Sequence, residues 1–140
     1  MSHAAEMLLP NELRATACRS DNECGWPPEL IPRVIEEGKR LNLLSVGGQL
    51  QFVLPVGICE CYWVSVDPLN QEPEGLDWES RVGFAAQHSQ EQFAALRSRF
   101  DFVAEGRRSF GEQFDDFQSA GGDPADRMCF IWYLEAEERT

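Results

Sequence analysis

Residues 56–67 read VGICECYWVSVD, and this stretch decides the fold. Two cysteines flank one glutamate inside an apolar, β-branched and aromatic run, which is typical of a β-strand. Alternation predicts a strand over residues 58–66 with two faces. One face carries Ile58, Glu60, Tyr62, Val64 and Val66, and the other carries Cys59, Cys61, Trp63 and Ser65.

A hairpin and two helices are predicted before this strand. The runs LLSV (43–46) and QLQFVLP (49–55) flank Gly47-Gly48, a pair that tolerates the positive φ of tight β-turns. Together with residues 58–66 they predict a three-stranded antiparallel meander. Further upstream, Asn11 can cap a brief helix that ends at Cys18. Residues 21–25 predict a polar turn, and Pro28 suits the start of an amphipathic helix.

The second half of the chain predicts an exposed loop, two helices and two more strands. Residues 67–80 (DPLNQEPEGLDWES) hold five acids and no base, which is typical of a loop. Residues 81–86 are interpreted as a strand. Capping boxes at Ser89 and Ser109 predict two Phe-rich helices that end near Gly106 and Gly121, and residues 127–135 predict a buried strand.

These elements predict a single α+β domain over residues 1–140. We expect an antiparallel sheet of about four to five strands with amphipathic helices packed on one face. Residues 1–10 are expected to form a flexible arm and residues 136–140 a flexible tail. A chain of 140 residues is long enough to bury one core.

The net charge restricts the classes of partner. The chain has 12 basic and 24 acidic residues, so its formal net charge is −12. Residues 67–140 hold 16 of the acids and 7 of the bases, which places most of the excess in the second half. Such a chain repels nucleic acid and anionic membranes and attracts cationic proteins over about 10 Å at moderate salt. We therefore expect neither a nucleic-acid partner nor a membrane partner.

The expected location is the cytoplasm. The first residues lack a basic segment typical of a secretory signal, and no apolar run reaches the roughly 20 residues of a membrane-spanning helix. Five cysteines are an odd number, which favours reduced thiols over a disulfide framework.

Cys59 and Cys61 raise the question of a metal site. Zinc needs three or four converging ligands, so these two thiols would need Cys18, Cys24, Cys129 or His88 to join them. The alternative is that both thiols are small core residues beside Trp63, with Glu60 on the opposite face. We adopt the alternative and expect no metal and no cofactor.

No catalytic motif is present. The patterns GxxxxGK[ST], GxGxxG, GxSxG and HExxH are all missing. A cysteine nucleophile needs a positioned base, and the only interior histidine is His88, which is interpreted as a surface residue near a helix cap. We therefore expect a protein that binds a partner and does not catalyse a reaction.

Two groups of acidic residues are candidate partner-binding sites. The first group lies in the predicted loop and surrounds Trp78, which could anchor in a partner pocket or fold back onto the core. Its members are Asp67, Glu72, Glu74, Asp77, Trp78 and Glu79. The second group lies on the predicted polar faces of the two late helices and consists of Asp101, Glu105, Glu112, Asp115 and Asp116.

In general type, the chain resembles bacterial immunity proteins, which are small, acidic, single-domain inhibitors of toxins. The resemblance implies a basic protein partner, such as a cytoplasm-acting toxin whose active site the chain would cover. Two alternatives stay open: a small-molecule-binding or enzymatic domain with a pocket between sheet and helices, and an adaptor or chaperone for another protein. Homodimerisation through residues 127–135 is compatible with each.

Overall fold

The computed structural model describes residues 2–20 and 22–138, with the side chains of residues 2–4 and 20 left out. Within these residues the α-helices span Asn11–Thr16 (α1), Ile31–Arg40 (α2), Trp78–Arg99 (α3) and Phe102–Ser119 (α4). The strands span Cys18–Ser20 (β1), Glu23–Trp26 (β2), Leu44–Leu54 (β3), Gly57–Val66 (β4) and Met128–Glu135 (β5). Short 3-10 helices cover Ser2–Leu8, Pro28–Leu30, Pro68–Gln71 and Pro124–Arg127.

The strands form one antiparallel sheet in the order β1-β2-β5-β3-β4. This confirms the predicted α+β class and the predicted strand at the end of the chain. The last strand, β5, pairs with β3 on one side and with β2 on the other, and its residues Cys129 to Trp132 are almost fully buried. Dimerisation through β5 would therefore have to displace a neighbouring strand.

The hairpin predicted at Gly47-Gly48 is wrong, because β3 continues through both glycines, with a register shift against β5 between Ser45 and Gly47. A Cβ atom added at Gly48 would lie 1.7 Å from the carbonyl oxygen of Ile131, and one at Gly47 would lie 2.1 Å from that of Val66. The two glycines thus allow close approach of the neighbouring strands. The turn between β3 and β4 instead consists of Pro55 and Val56, and Gly57, the first residue of β4, has a φ of +145°.

The faces predicted for β4 are correct up to Trp63, which packs against the core, and inverted from Val64 onward. Cys59 and Cys61 are buried, and Tyr62 is 74% exposed. A register shift follows, because Leu50 pairs with Cys61 whereas the adjacent Gln49 pairs with Ser65. After this irregularity Val64 and Val66 are the buried residues, and Ser65 is exposed.

The late helices begin earlier than predicted. Residues 81–86 belong to α3 and are not a strand, because Asp77 caps the helix by accepting a hydrogen bond from the Ser80 backbone N–H at 2.9 Å. Ser89 consequently lies inside α3. Asp101 caps α4, so the break falls before Phe102 and not near Gly106.

The predicted start at Ser109 coincides with an irregularity inside α4. The adjacent Phe110 has a non-helical φ of −127° and ψ of 38°. The capping sequence therefore marks a kink between two helical segments and not a separate helix.

The start of the chain is partly built into the fold. The 3-10 helix Ser2–Leu8 contacts β5, and Ala5 and Leu9 are buried in the core. Cys18 lies in β1, and residues 23–25 of the predicted polar turn lie in β2, whereas Asp21 lies outside the described residues. Residues 136–138 are exposed and follow β5. Of the predicted arm and tail, Met1, Arg139 and Thr140 lie outside the described residues.

One face of the sheet, the inner face, carries the large core cluster. Trp26, Phe52, Phe130 and Trp132 on this face are at most 1% exposed, and the cluster also contains residues of all four helices. The helices therefore pack on the inner face, as predicted. The opposite, outer face consists of the residues that alternate with these: Glu23, Gly25, Gln49, Gln51, Ile58, Glu60, Tyr62, Cys129, Ile131 and Tyr133.

Crossing a bilayer takes a helix that is both long and strongly apolar, and none of the helices in the described part of the chain meets that requirement.

Candidate functional site

The predicted acidic loop is more ordered than its sequence suggested. It contains the 3-10 helix Pro68–Gln71 and the first turn of α3. Three of its acids have local structural partners. Glu72 forms an ion pair with Arg81 at 2.7 Å, Asp77 caps α3, and the backbone of Asp67 exchanges hydrogen bonds with the Gln92 side chain.

Trp78 folds back, which is one of the two alternatives that the sequence left open. Its ring packs against the buried cluster of Leu44, Val82 and Ala85. Its indole N–H donates to the carbonyl oxygen of Asn42 at 2.9 Å. Trp78 is therefore half-buried and stabilises the fold. Of the first predicted acidic set, Glu74 and Glu79 remain as exposed acids without an ion pair in the described structure.

The second predicted acidic set also contains acids with structural partners and exposed acids without an ion pair in the described structure. Asp101 caps α4, and Asp115 pairs with Arg107 at 2.9 Å. Glu105 accepts hydrogen bonds from Arg108 and from the indole N–H of Trp63, each at 2.8 Å. These bonds, with Arg108 the larger contributor, lower the pKa of the Glu105 carboxyl.

Glu112 and Asp116 are the members of this set that stay free. Both are exposed, and no ion pair involves either within the described residues. They lie four residues apart on α4 and therefore on one side of the helix, where like charges repel. An approaching cation would relieve that repulsion.

Cys59 and Cys61 point into the core, as predicted, and Glu60 points to the outer face. The exposed fractions of Cys59 and Cys61 are 3% and 0%. Burial is the main reason that the pKa of Cys61 rises to about 12, and burial also raises the pKa of Cys59. Both thiols are thus protonated at neutral pH and poor as nucleophiles or metal ligands. The described residues contain no group of three or more potential metal-ligating side chains.

The prediction that all thiols are reduced is wrong for two of the five cysteines. Cys18 in β1 and Cys129 in β5 form a disulfide bond, although β2 lies between their strands. Sequence spacing could not reveal this pair, because its members are 111 residues apart. Cys24, Cys59 and Cys61 are free and buried.

His88 lies within α3 and not at a helix cap. Its imidazole stacks on the Phe84 ring with 4.0 Å between centroids, and its Nδ1 atom lies 3.9 Å from Glu91. Both contacts are to residues of its own helix. This arrangement does not form a cysteine–histidine pair with any of the three free, buried thiols.

The outer face carries a polar cluster that the sequence did not predict. The Nε2 atom of Gln51 donates to Glu60 at 3.1 Å and to Glu23 at 3.4 Å. The hydroxyl of Tyr133 donates to the second oxygen of Glu23. Strands β2, β3, β4 and β5 each contribute one residue. We call Glu23, Gln51, Glu60 and Tyr133 the outer-face cluster.

The outer-face cluster has two carboxylates, and the side chains that donate hydrogen bonds to them are neutral. Burial, followed by the hydrogen bond to Glu23, raises the pKa of Tyr133, so its hydroxyl remains a donor. Gln51 is 1% exposed, and its carbonyl oxygen Oε1 is buried without a hydrogen-bond partner in the described part of the chain. In the described structure neither Glu23 nor Glu60 forms an ion pair.

Apolar side chains flank this cluster on β4. Ile58 is 37% exposed and Tyr62 is 74% exposed, on either side of Glu60. Strand alternation predicted this trio on one face. The association of Glu60 with Glu23, Gln51 and Tyr133 could not be predicted, because it depends on the strand order.

A shallow pocket lies elsewhere. It has a volume of about 210 Å³ and is lined by Pro27, Pro28, Glu29, Ala125, Asp126 and Met128. It adjoins two 3-10 helices and does not lie between the sheet and the Phe-rich helices, where the small-molecule alternative would place its ligand.

We compared the chain with protein-family models, curated proteins and solved structures, and none of them matches it.

Proposed function

We propose that this protein is a non-catalytic acidic inhibitor that binds a basic protein and covers its active site, in the manner of bacterial immunity proteins. The observation that carries the proposal is the set of exposed acids that the fold does not use. Glu74, Glu79, Glu112 and Asp116 are exposed without ion pairs in the described structure, on a chain of net charge −12.

Such a surface favours rapid association with a cationic partner. Complementary charge raises the association rate by electrostatic steering and suppresses binding of acidic competitors. An enzyme that acts on nucleic acids or nucleotides has a basic cleft of this kind. The proposed partner is therefore a toxin or effector enzyme with an anionic substrate.

The nucleophilic and metal-binding groups support binding over catalysis. Cys59 and Cys61 are buried with raised pKa values, and His88 contacts its own helix. None of these groups is arranged as an activated nucleophile and base.

The cytoplasm is the proposed site of action, and the Cys18–Cys129 disulfide argues against it. Disulfides are rare in reducing compartments and common in oxidising ones. Mass spectrometry of the protein, trapped with an alkylating agent in its native cells, tests this part of the proposal. An alkylated Cys18 would support the cytoplasm, and an intact disulfide would place the partner in an oxidising compartment.

The adaptor alternative is supported by a different observation. Ile58, Tyr62, Met7 and Leu8 are exposed apolar side chains that could hold another protein. An adaptor that relies on them would show binding with little salt dependence.

The experiment that tests the proposal compares the wild type with two variants in capture from the native host. The test variant carries E74Q, E79Q, E112Q and D116N, which remove four negative charges without touching the core, a helix cap or an ion pair. Asp77 and Trp78 are left unchanged because they cap and pack α3. The matched control removes four exposed acids elsewhere through E29Q, E36Q, E137Q and E138Q.

We expect the wild type and the control to capture a basic protein and to inhibit its activity. For the test variant, association with that protein should slow by about tenfold or more, because rim charges act mainly on the association rate. Equal association rates for all three proteins, or turnover of a small substrate by the purified chain, would contradict the proposal.

A further inference from the structure

We propose that the outer face of the sheet binds an arginine side chain of the partner protein, with the guanidinium held by Glu23, Gln51 and Glu60. This inference rests on the proposed function, because a basic partner supplies the arginine. It adds a recognition site, of stated chemistry, to the diffuse attraction of the exposed acids.

The unsatisfied carbonyl oxygen of Gln51 is the first argument. The Nε2 group of Gln51 is directed at the two carboxylates, at 3.1 and 3.4 Å, so the amide orientation is fixed by its donors. This leaves Oε1 as an acceptor without a donor among the described residues, in a side chain that is 1% exposed. Buried acceptors in proteins are nearly always paired, and an incoming N–H group would pair with Oε1 once the more exposed Glu23 and Glu60 side chains turn toward that group.

The charge of the cluster is the second argument. One oxygen each of Glu23 and Glu60 lies within 3.4 Å of the same Gln51 nitrogen. The groups that donate to them, the Gln51 amide and the Tyr133 hydroxyl, are neutral. A cation is the ligand that this arrangement lacks.

The geometry favours a guanidinium over an ammonium or a metal ion. A guanidinium presents five N–H donors in a planar fork and can serve two carboxylates and a carbonyl oxygen together. An ammonium is a point charge with three donors. For a metal ion, the cluster offers two carboxylates, fewer than the three ligating side chains of a metal site, and no such group of three occurs among the described residues.

The flanking side chains indicate that the arginine belongs to a protein. Ile58 and Tyr62 offer apolar surface on either side of Glu60 and would contact residues next to the arginine. Tyr62 also offers an aromatic face on which a guanidinium can stack. The predicted ligand is therefore an arginine with apolar neighbours on an exposed segment of the partner.

The test uses short peptides as probes and NMR as the readout. The first peptide has one arginine between two leucines and blocked ends. In the second, citrulline replaces arginine, which keeps the shape and removes the charge. In the third, lysine replaces arginine. Each is titrated into the isotope-labelled full chain, and the Gln51 side-chain amide and the Tyr133 and Tyr62 signals are followed.

Two variants and a control locate the binding. E23Q/E60Q removes both charges and keeps the side-chain shapes. Q51M removes the free acceptor and keeps a side chain of similar length. E29Q/E36Q removes two exposed charges that lie outside the outer face, and so it controls for the change in net charge.

We expect the arginine peptide to shift the outer-face signals saturably, and the E23Q/E60Q variant to weaken its binding by about tenfold or more. Q51M should weaken binding severalfold, and E29Q/E36Q should leave it unchanged. The citrulline peptide should not bind, and the lysine peptide should bind more weakly than the arginine peptide.

Three results would overturn the inference: no outer-face shifts, equal binding by E23Q/E60Q and wild type, or equal binding of the lysine and arginine peptides. If a basic partner is nevertheless captured and the four-charge variant slows its association, the inference fails and the proposed function stands. If no basic protein is captured, the proposed function fails as well.

Discussion

Gly48 shows how a single residue decides the packing of the sheet. Its missing side chain lets the β3 backbone lie against β5, where a Cβ atom would approach the Ile131 carbonyl oxygen to 1.7 Å. That oxygen belongs to backbone in a central strand and cannot move without disturbing the ladder. The Gly-Gly pair therefore serves strand packing, although the same pair in isolation is typical of a turn.

We expect Gly48→Ala to destabilise the protein by about 2–4 kcal/mol, because the added methyl group must displace backbone in the sheet. Gly83→Ala is the matched control. Gly83 lies in α3 with no atom within 4 Å of the added Cβ, so its replacement should stabilise by about 0.5–1 kcal/mol. Urea unfolding curves measure both free-energy changes. If Gly48→Ala changed the unfolding free energy no more unfavourably than Gly83→Ala, the close approach of β3 and β5 would be contradicted.

At the scale of elements, α3 replaces what the sequence suggested to be a loop, a strand and a shorter helix. The Asp77 cap sets its start, and the alternation of residues 81–86 is too short to distinguish a strand from a helix. Strands β4 and β5 were predictable because their apolar runs are dense and bounded by turn residues. The outer-face cluster was not predictable, because four strands that are distant in sequence build it.

The burial of Ser89 inside α3 leads to a stability prediction. Its side chain is 0% exposed, and its hydroxyl has no hydrogen-bond partner among the residues that the structure describes. We expect Ser89→Ala to stabilise the protein by about 1 kcal/mol, since it removes an unpaired buried hydroxyl and improves helix propensity.

Ser98→Ala is the control for Ser89, because Ser98 is exposed on the same helix. It should gain only the difference in helix propensity, about 0.5 kcal/mol or less. Denaturant unfolding measures both gains. A destabilised Ser89→Ala variant would show that the hydroxyl has a partner.

The contact between β4 and α4 through Glu105 predicts a pH dependence. Hydrogen bonds from Arg108 and Trp63 lower the pKa of Glu105 below its ordinary value of 4.5. Its contribution to stability is therefore fully present above pH 4.5 and is lost as the pH falls through the lowered value.

We accordingly expect the difference in unfolding free energy between wild type and E105Q to be largest at neutral pH and to shrink on acidification. Unfolding curves over a pH series measure it. E112Q removes the same charge from the same helix without losing a hydrogen bond, and so it controls for net charge. A difference that grows toward acid would refute the assigned direction.

At the scale of the whole molecule, the Cys18–Cys129 disulfide joins the edge strand β1 to the central strand β5. It links β1 to β5 across 111 residues of chain, so it restricts the unfolded ensemble strongly. Reduction should lower the unfolding free energy by about 3–5 kcal/mol in the chain-entropy account.

Thiol titration provides the companion measurement for the disulfide. Without reductant, the unfolded protein should show the three thiols of Cys24, Cys59 and Cys61, and the native protein should react slowly because all three are buried. Five reactive thiols on unfolding would show that the bond is absent, and reduction would then leave the stability unchanged.

The whole molecule also carries the feature on which the proposed function rests, exposed acids without ion pairs in the described structure. It combines them with the feature on which the arginine site rests, an outer-face acceptor that has no donor among the described residues. The most direct test of the central claim is the salt dependence of the association rate between the purified chain and the basic protein that it captures. The account predicts a rate that falls steeply as ionic strength rises and a further loss in the four-charge variant. An association rate that is the same at low and high salt would contradict it.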